Sequence, residues 1–554
     1  MYYKRERDDR PRFKQMKFFT GIKKENLYFI AAIILSIVVN IYIHFPEITN
    51  KYSIYPDVGE HYYLYQLNDN TVFQGDLLAE CRLSVYSTAS GYQYLVKIFT
   101  RYLPLLPFLK FLPILLSIVS TIFIFKIGKY LKDGAFGFLV SYVFLLYVPT
   151  MDTFFGGLQR SFGLTISCIF LYYIIKNNVK ASVFFVLISA LFYPTLLPQV
   201  SLTCVFSVLF KKGLPLKVKL YYIALIFGLT YSIFLLFYSM LAKGAVSLGG
   251  PLSFQDYNYM LQNGLDKTYS FLVTNTCFLN RFFNILEHSD GYRYFTFVLL
   301  PLSLFSFFIL NKEEWKRLRM FFIFIAVSVF LFFLLEILFP WIGFKFRYPS
   351  RQIIFSIPLL IIFTSSYAIY KIINKFKSSR ALRKSIYLLL FVLFILLFKS
   401  DCVNVVKQDT LFDYVKSLPV NSMIAGEPND LRFIPLFTKR KVLVISGGID
   451  EVFHKRYFGD AVKRTQDLFR VLYSDSMAEV KVFCEKYKIT HFILNENCYT
   501  GRFFNNDRYS KYENLLGFAP AFIKDKNYVL LDFSKNNYIF KYGEWYVIDV
   551  SAFR

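Results

Sequence analysis

The sequence predicts an α-helical polytopic membrane protein of about eleven transmembrane helices with a C-terminal α/β domain. Three observations predict it: repeated long apolar runs, basic residues gathered in alternate connecting segments, and a change of pattern after about Asp401. The 554 residues are 55% hydrophobic with a mean hydropathy of +0.41, well above a soluble average.

The apolar runs are Leu27–His44, Pro107–Phe125, Ala135–Val148, Phe162–Ile175, Ala181–Phe192, Thr195–Phe210, Leu220–Leu241, Tyr294–Leu310, Met320–Phe339, Ile353–Tyr370 and Ile386–Phe398. The pair flanking Pro194 also fits one re-entrant element. The first run ends in Ile43-His44-Phe45-Pro46 without the small residues of a cleavage site, so it reads as a retained span.

The net charge of +26 is a topology signal before it is anything else. Basic groups lie in the N-terminal tail, at Lys126/Lys129/Lys132, Lys176/Lys180, Lys211/Lys212/Lys217/Lys219, Lys316/Arg317/Arg319 and Lys371/Lys375/Lys377/Arg380/Arg383/Lys384. With the N-terminus inside and one crossing per run, all fall on the cytoplasmic side, as the positive-inside bias requires. Nucleic-acid binding would not distribute charge this way. The chain then divides into a basic cytoplasmic tail (1–26), a transmembrane domain (27–400) with large outer loops at 45–106 and 242–293, and an extracytoplasmic domain (401–554). A multi-pass protein of the cell (inner) membrane follows, its C-terminal domain on the periplasmic side.

Within the first outer loop, Asp57–Leu67 is expected to be helical and Ser84–Tyr102 to form an interfacial helix. In the C-terminal domain, strand-like runs stand at Ser422–Ala425, Lys441–Ile445, Thr490–Leu494, Tyr528–Phe533 and Trp545–Val550. Helical patterns lie at Gln408–Leu418, Asp460–Tyr473 and Ser476–Tyr487, with no glycine-rich phosphate loop. The seven cysteines show no zinc or redox spacing; five fall on the outer side, and no disulfide pairing can be chosen among them.

Chemistry points to the first outer loop, at Tyr55-Pro56-Asp57-Val58-Gly59-Glu60-His61-Tyr62-Tyr63. A helix puts Asp57 and Glu60 on one face, where one carboxylate can take a proton from a hydroxyl while the other orients it or holds a metal. The plainer alternative is a solvated helix cap and first-turn acid. Phe344-Lys345-Phe346-Arg347-Tyr348-Pro349-Ser350-Arg351 carries three cations on the outer side, against the charge bias, which suits an anionic lipid phosphate or interfacial snorkelling. Arg160, in Gly156-Gly157-Leu158-Gln159-Arg160-Ser161, is placed either to meet the same anion, to pair with Asp57 or Glu60, or to sit at the interface behind a turn capped by Ser161. Asp76 is read as a helix cap or a further member of the acidic site, His61 as a base or ligand, and His454 as structural.

These motifs resemble the GT-C superfamily of integral-membrane glycosyltransferases. The resemblance rests on a first helix followed by a loop with Asp57-x-x-Glu60, on Gly157-Leu158-Gln159-Arg160-Ser161-Phe162, Leu191-Phe192-Tyr193-Pro194 and Arg347-Tyr348-x-x-Arg351, and on the C-terminal domain. The chain resembles bacterial members of that superfamily more than the oligosaccharyltransferases, and the resemblance implies transfer of a sugar from a polyprenyl-phosphate donor to a glycan, lipid or protein acceptor on the outer face. On that resemblance Asp57 is the general base and Glu60 its partner or a metal ligand. His61, Asp76, Arg160, Arg347, Tyr348 and Arg351 bind substrate, the arginines taking the lipid phosphate. The cofactor is open, a divalent cation (Mg or Mn) on Asp57 and Glu60 being the candidate. The family's acidic motifs are often adjacent pairs, whereas here the spacing is i,i+3. A lipid or polysaccharide transporter or flippase, and a non-catalytic envelope assembly protein, are the alternative readings. The nearly charge-free spans and lack of an internal repeat weigh against the transporter.

Overall fold

A computed structural model describes residues 24–86, 89–147, 154–248, 293–342, 353–375, 403–404, 409–446, 455–499 and 528–553. Arg347, Tyr348, Arg351, His454, the run Ile386–Phe398 and most of the second outer loop lie outside the described residues.

The first helix, α1 (Lys24–Thr49), leads into a long loop containing strand β1 (Ser53–Ile54), the 3-10 segment Pro56–Leu67, and helices α2 (Leu77–Tyr86) and α3 (Ser90–Phe99). The apolar helices then follow as α4 (Leu105–Leu131), α5 (Gly134–Leu146), α6 (Gln159–Ile175), α7 (Val179–Phe192), α8 (Leu197–Leu209), α9 (Leu216–Leu248), α10 (Arg293–Ile309), α11 (Lys312–Ile342) and α12 (Ser356–Lys375). Among the described residues, five helices are long and apolar enough to cross a membrane. Five more apolar helices are shorter; the thirteen residues of α5 rise only roughly 20 Å, less than a hydrocarbon core. Pro194 begins a separate 3-10 turn between α7 and α8, which makes two helices of that pair.

Neutral hydrogen bonds join the helices. Asn40 of α1 donates to Ser117 of α4 (2.9 Å), Ser36 bonds Thr121 (3.2 Å), and Ser120 donates to Thr165 of α6 (3.0 Å). Inside an apolar medium such groups must find partners in one another, so they fix helix rotation as well as adding contact. Ile34, Tyr42, Phe111, Leu115 and Phe184 point outward and stay exposed, as lipid-facing side chains do.

The bundle has two chemically different ends. At one, Glu25 pairs with Lys129 (2.8 Å), Arg317 donates to the Leu131 carbonyl (3.1 Å), and Glu314 of α11 binds Lys132, just past the end of α4, and Lys371 of α12. This draws together basic segments that the charge argument put on one side. At the other end lies the first loop. There Lys110, in the second turn of α4, is buried and donates to the carbonyls of Glu47 and Asn50 (both 2.8 Å), placing a positive charge at the C-terminal end of α1.

Beyond the helices, strand β2 (Val403–Asn404) pairs antiparallel with β1, Ser53 opposite Asn404, tying the re-entering chain to the first loop. A sheet follows from α13 (Asp409–Ser417), β3 (Met423–Gly426), α14 (Ile434–Thr438), β4 (Lys441–Val442), α15 (Lys455–Leu472), α16 (Met477–Tyr487), β5 (His491–Asn495), α17 (Val529–Asn536), β6 (Phe540–Tyr542) and β7 (Trp545–Asp549). The strand order is β4-β3-β5-β7-β6, the first three parallel and β7 antiparallel to both neighbours. Ile424, Phe492, Val547 and Ile548 are fully buried in it, and Leu468 of α15 packs over one face.

Three sequence expectations need correction. Tyr528–Phe533 is the start of α17, not a strand: Leu530 and Ser534, one helical turn apart, are both buried, and a short apolar run does not itself distinguish the two periods. The supposed helix Ser84–Tyr102 is instead α3 with the end of α2 before it. The segment after Pro56 is 3-10, broken at His61 (φ −101°, ψ 21°), not an α-helix.

Candidate active site

The 3-10 winding governs the acidic pair. With three residues per turn, positions i and i+3 eclipse, so Asp57 and Glu60 project from one edge, closer in line than an α-helix would set them. Pro56 starts the segment with its fixed φ and no lost donor. Gly59 lies between them because the C-terminal unit presses there: a Cβ would come within 2.9 Å of the Phe433 ring and 3.2 Å of the Arg432 side chain.

Four oxygens of the pair face three guanidinium groups. Asp57 Oδ2 lies 2.8 Å from Arg160 Nη1, and Asp57 Oδ1 3.5 Å from Arg432 Nη2. The same Arg432 nitrogen donates to Glu60 Oε1 at 2.7 Å, and Glu60 Oε2 accepts from Arg82 Nη2 at 2.7 Å. The order is therefore Arg160–Asp57–Arg432–Glu60–Arg82. Burial deepens from Asp57 onward: the Asp57 side chain is 42% exposed, Arg432 24%, Glu60 17% and Arg82 1%, while Arg160 on the other side of Asp57 is 19% exposed. The Asp57 end opens outward and the Arg82 end is sealed.

Each arginine arrives by a different route. Arg160 follows a turn in which Gly156 and Gly157 both take positive φ (79° and 58°); a Cβ on Gly156 would also strike Val58, and one on Gly157 the Leu109 carbonyl. Ser161 Oγ closes this turn by donating to the Phe154 carbonyl (3.0 Å) rather than capping α6. The Arg160 guanidinium sits over the Tyr55 ring, 5.1 Å from its centroid. Arg82 rides on α2, whose first turn is capped by Asp76: the carboxylate accepts from Ala79 N–H and from the Tyr62 hydroxyl, both at 2.9 Å. Burial raises the Asp76 carboxyl above its ordinary range, the hydrogen bonds opposing it. Asp76 thus anchors the helix that carries Arg82. Arg432 comes from the loop between β3 and α14.

His61 is buried beside this network. Burial first, and then Arg82, Arg160 and Arg432, hold its imidazole well below the usual value. It is a neutral ring packed against Tyr63. The structure thus brings together Asp57, Glu60 and Arg160, with His61 adjacent and Asp76 capping the helix that carries Arg82. Arg82 and Arg432 were not foreseen. Arg82 gave no pattern of its own, whereas Asp430-Leu431-Arg432-Phe433-Ile434-Pro435 puts a lone arginine at the head of an apolar turn much as Arg160 does.

The two carboxylates that a GT-C resemblance would assign to a divalent cation do not fit one. Their oxygens already face guanidinium groups, a dication there would meet three fixed positive charges, and no group of three or more His, Cys, Asp or Glu suited to a metal occurs among the described residues.

No family profile matches the chain. No curated protein matches it either. Among solved structures it is similar to the oligosaccharyltransferase of Archaeoglobus fulgidus: in the apo form at a TM-score of 0.47 and 10% identity, covering 91% of this chain and 73% of that one. The complex of that protein with zinc and sulfate gives 0.40 and 11%, covering 86% and 69%. Its complex with an inhibitory peptide and a dolichol-phosphate gives 0.42 and 10%, covering 90% and 72%. Superpositions this loose do not assign the chain to a family.

Proposed function

We propose that the protein is a membrane glycosyltransferase that moves a sugar from a polyprenyl-phosphate donor to an acceptor at the membrane surface. The observation that carries this reading is the half-exposed Asp57 carboxylate, held between Arg160 and Arg432 at the end of the apolar bundle away from its lysine cluster. A nucleophile from water and a donor from the bilayer can both reach such a position. The N-terminus is cytoplasmic on this reading, and the acidic site and the C-terminal sheet are on the outer side of a bacterial inner membrane.

Asp57 takes the proton of an acceptor hydroxyl or amide as its heteroatom bonds to the anomeric carbon. The bond from that carbon to phosphate breaks with its electron pair passing to the phosphate oxygen. Cations are needed where that charge develops, and the excess of guanidinium over carboxylate provides them: Arg160 and Arg432 here, with Arg347 and Arg351 joining from outside the described residues. Attack opposite the leaving phosphate inverts the anomeric centre, and the transferred unit is a hexose or pentose. Since phosphate leaves without protonation, no second carboxylate need act as an acid; Glu60 positions Arg432 and Arg82 instead.

The test is transfer from radiolabelled polyprenyl-phosphate sugars by protein in lipid nanodiscs. Asp57→Asn keeps the shape and removes the base, and should lower turnover by about 10²–10⁴-fold. Wild-type turnover in that variant would reject Asp57 as the base, and no transfer from any such donor would reject the reaction.

A further inference from the structure

We infer that Arg432 occupies the place of a divalent cation between Asp57 and Glu60, so that the C-terminal unit itself supplies the charge that ties the two carboxylates together. One nitrogen, Arg432 Nη2, reaches both: 2.7 Å to Glu60 Oε1 and 3.5 Å to Asp57 Oδ1. That is the bridging position a metal between paired carboxylates would take. The other oxygen of each carboxylate is turned away to Arg160 or Arg82, so neither side chain presents two lone-pair faces to a common cation.

The bridge is built into the fold and is not a chance meeting of surface side chains. The loop that carries Arg432 leaves β3 at Gly426, where a Cβ would come within 2.2 Å of the Ile493 carbonyl oxygen of the neighbouring strand. It then turns on Glu427, whose carboxylate accepts from Asp430 N–H (2.7 Å) and Asn429 Nδ2 (2.9 Å). Leu431 is fully buried on one side of Arg432, and on the other the Phe433 ring is seated against Gly59. One turn on, the Tyr65 hydroxyl donates to the Leu436 carbonyl (3.0 Å), and Lys441 reaches the Gln74 carbonyl (2.6 Å). The Phe433–Gly59 and Tyr65–Leu436 contacts seat the loop on the segment that carries the acids. A guanidinium stays charged at any physiological pH and offers a planar fork for two carboxylates. A dication added to this arrangement would have to expel Arg432 from a backbone held on both sides.

The binding part of the inference stands on geometry alone; its consequence, a transfer reaction independent of divalent cations, rests on the function proposed above. The experiment is a Mn²⁺ titration of the metal-stripped full-length protein in nanodiscs, following the spectrum of free Mn²⁺ by electron paramagnetic resonance. Wild type should show no binding that Asp57→Asn removes, up to millimolar Mn²⁺. Arg432→Ala and Arg432→Gln, checked for folding by circular dichroism, should gain such binding and lose it again when combined with Asp57→Asn. Binding by wild type that depends on Asp57 would overturn the inference, as would folded Arg432 variants that bind no more Mn²⁺ than wild type. If neither Arg432 variant folds, the wild-type titration decides alone. Where transfer is measured, chelator should leave wild-type turnover unchanged. Absence of any transfer would sink the proposed reaction and leave the Mn²⁺ result standing.

Discussion

The two ends of the helical bundle each gather an excess of cations around carboxylate, yet they are built for different ends. At the lysine end, Glu314 is 8% exposed and serves three purposes at once: it accepts from Asn311 N–H (2.9 Å) while Asn311 Oδ1 accepts from Glu314 N–H (2.9 Å), and it holds Lys132 and Lys371. That is a reciprocal helix cap that also staples three helices. Its partners are accounted for by the helices they join. At the acidic end, the charged groups come from a loop, a surface helix, a glycine turn and the C-terminal unit, with 375 residues separating Arg432 from Asp57. One carboxylate remains 42% exposed. The fastener is closed, its carboxylate 8% exposed, whereas this assembly is left open on one side, which is what a site for an incoming ligand needs.

Arg82→Met should show the largest difference between the two ends. The variant strips Glu60 Oε2 of its buried guanidinium while Arg432 stays on Oε1, so the loss approaches the roughly 3–5 kcal/mol that breaking a buried pair from one side costs. Glu314→Gln keeps the cap geometry and loses only the charge on partly exposed lysines, for about 1–2 kcal/mol. Denaturant unfolding in detergent measures both. Equal losses would mean that the acidic end is a fastener too.

His61 sharpens the comparison through pH. Burial and the three arginines hold its imidazole well below 6.5, so the unfolded chain takes up a proton that the folded chain refuses. Stability is therefore whole above the unfolded value and falls as pH drops beneath it, by about 1.4 kcal/mol per pH unit until the folded ring also titrates. His61→Gln should flatten that slope between about pH 6.5 and 5.5. An unchanged slope would show that the ring is not held neutral beside the guanidinium network.

How far the sequence reached follows the same division. Spans, basic segments and the acidic pair are local patterns: an apolar run of a given length, a cluster of lysines, Asp and Glu at i,i+3 behind a proline. Arg160 was placed with Asp57 among its open partners, because a glycine turn feeding an arginine into an apolar helix is visible over six residues. Arg432 was out of reach because its partners lie 372 and 375 residues away, and neither local charge nor periodicity encodes which loop of the sheet docks on the segment after Pro56. The 3-10 winding was missed for a related reason. Asp57-x-x-Glu60 satisfies both helical periods, so the spacing alone does not choose between them. Arg347, Tyr348 and Arg351 lie outside the described residues, so their part in holding phosphate belongs to the proposal.

The smallest effect is expected at Lys371. Its side chain is 39% exposed, and its ammonium stands 3.4 Å from Glu314 and 5.4 Å from the Tyr367 ring centroid. Replacing it by alanine leaves Glu314 with Lys132 and with the Asn311 cap, so no carboxylate is stranded. An exposed ion pair of this kind contributes roughly 0–1 kcal/mol, most of it screened by salt. Unfolding of Lys371→Ala at low and high ionic strength should therefore show a small loss that shrinks further in salt. Arg432, at 24% exposure, is not much more buried, yet its removal would leave Asp57 and Glu60 facing each other without the nitrogen that bridges them. A loss at Lys371 as large as the one at Arg432 would mean that exposure and not bridging sets the cost, and the distinction between fastener and site would have to be drawn on other grounds.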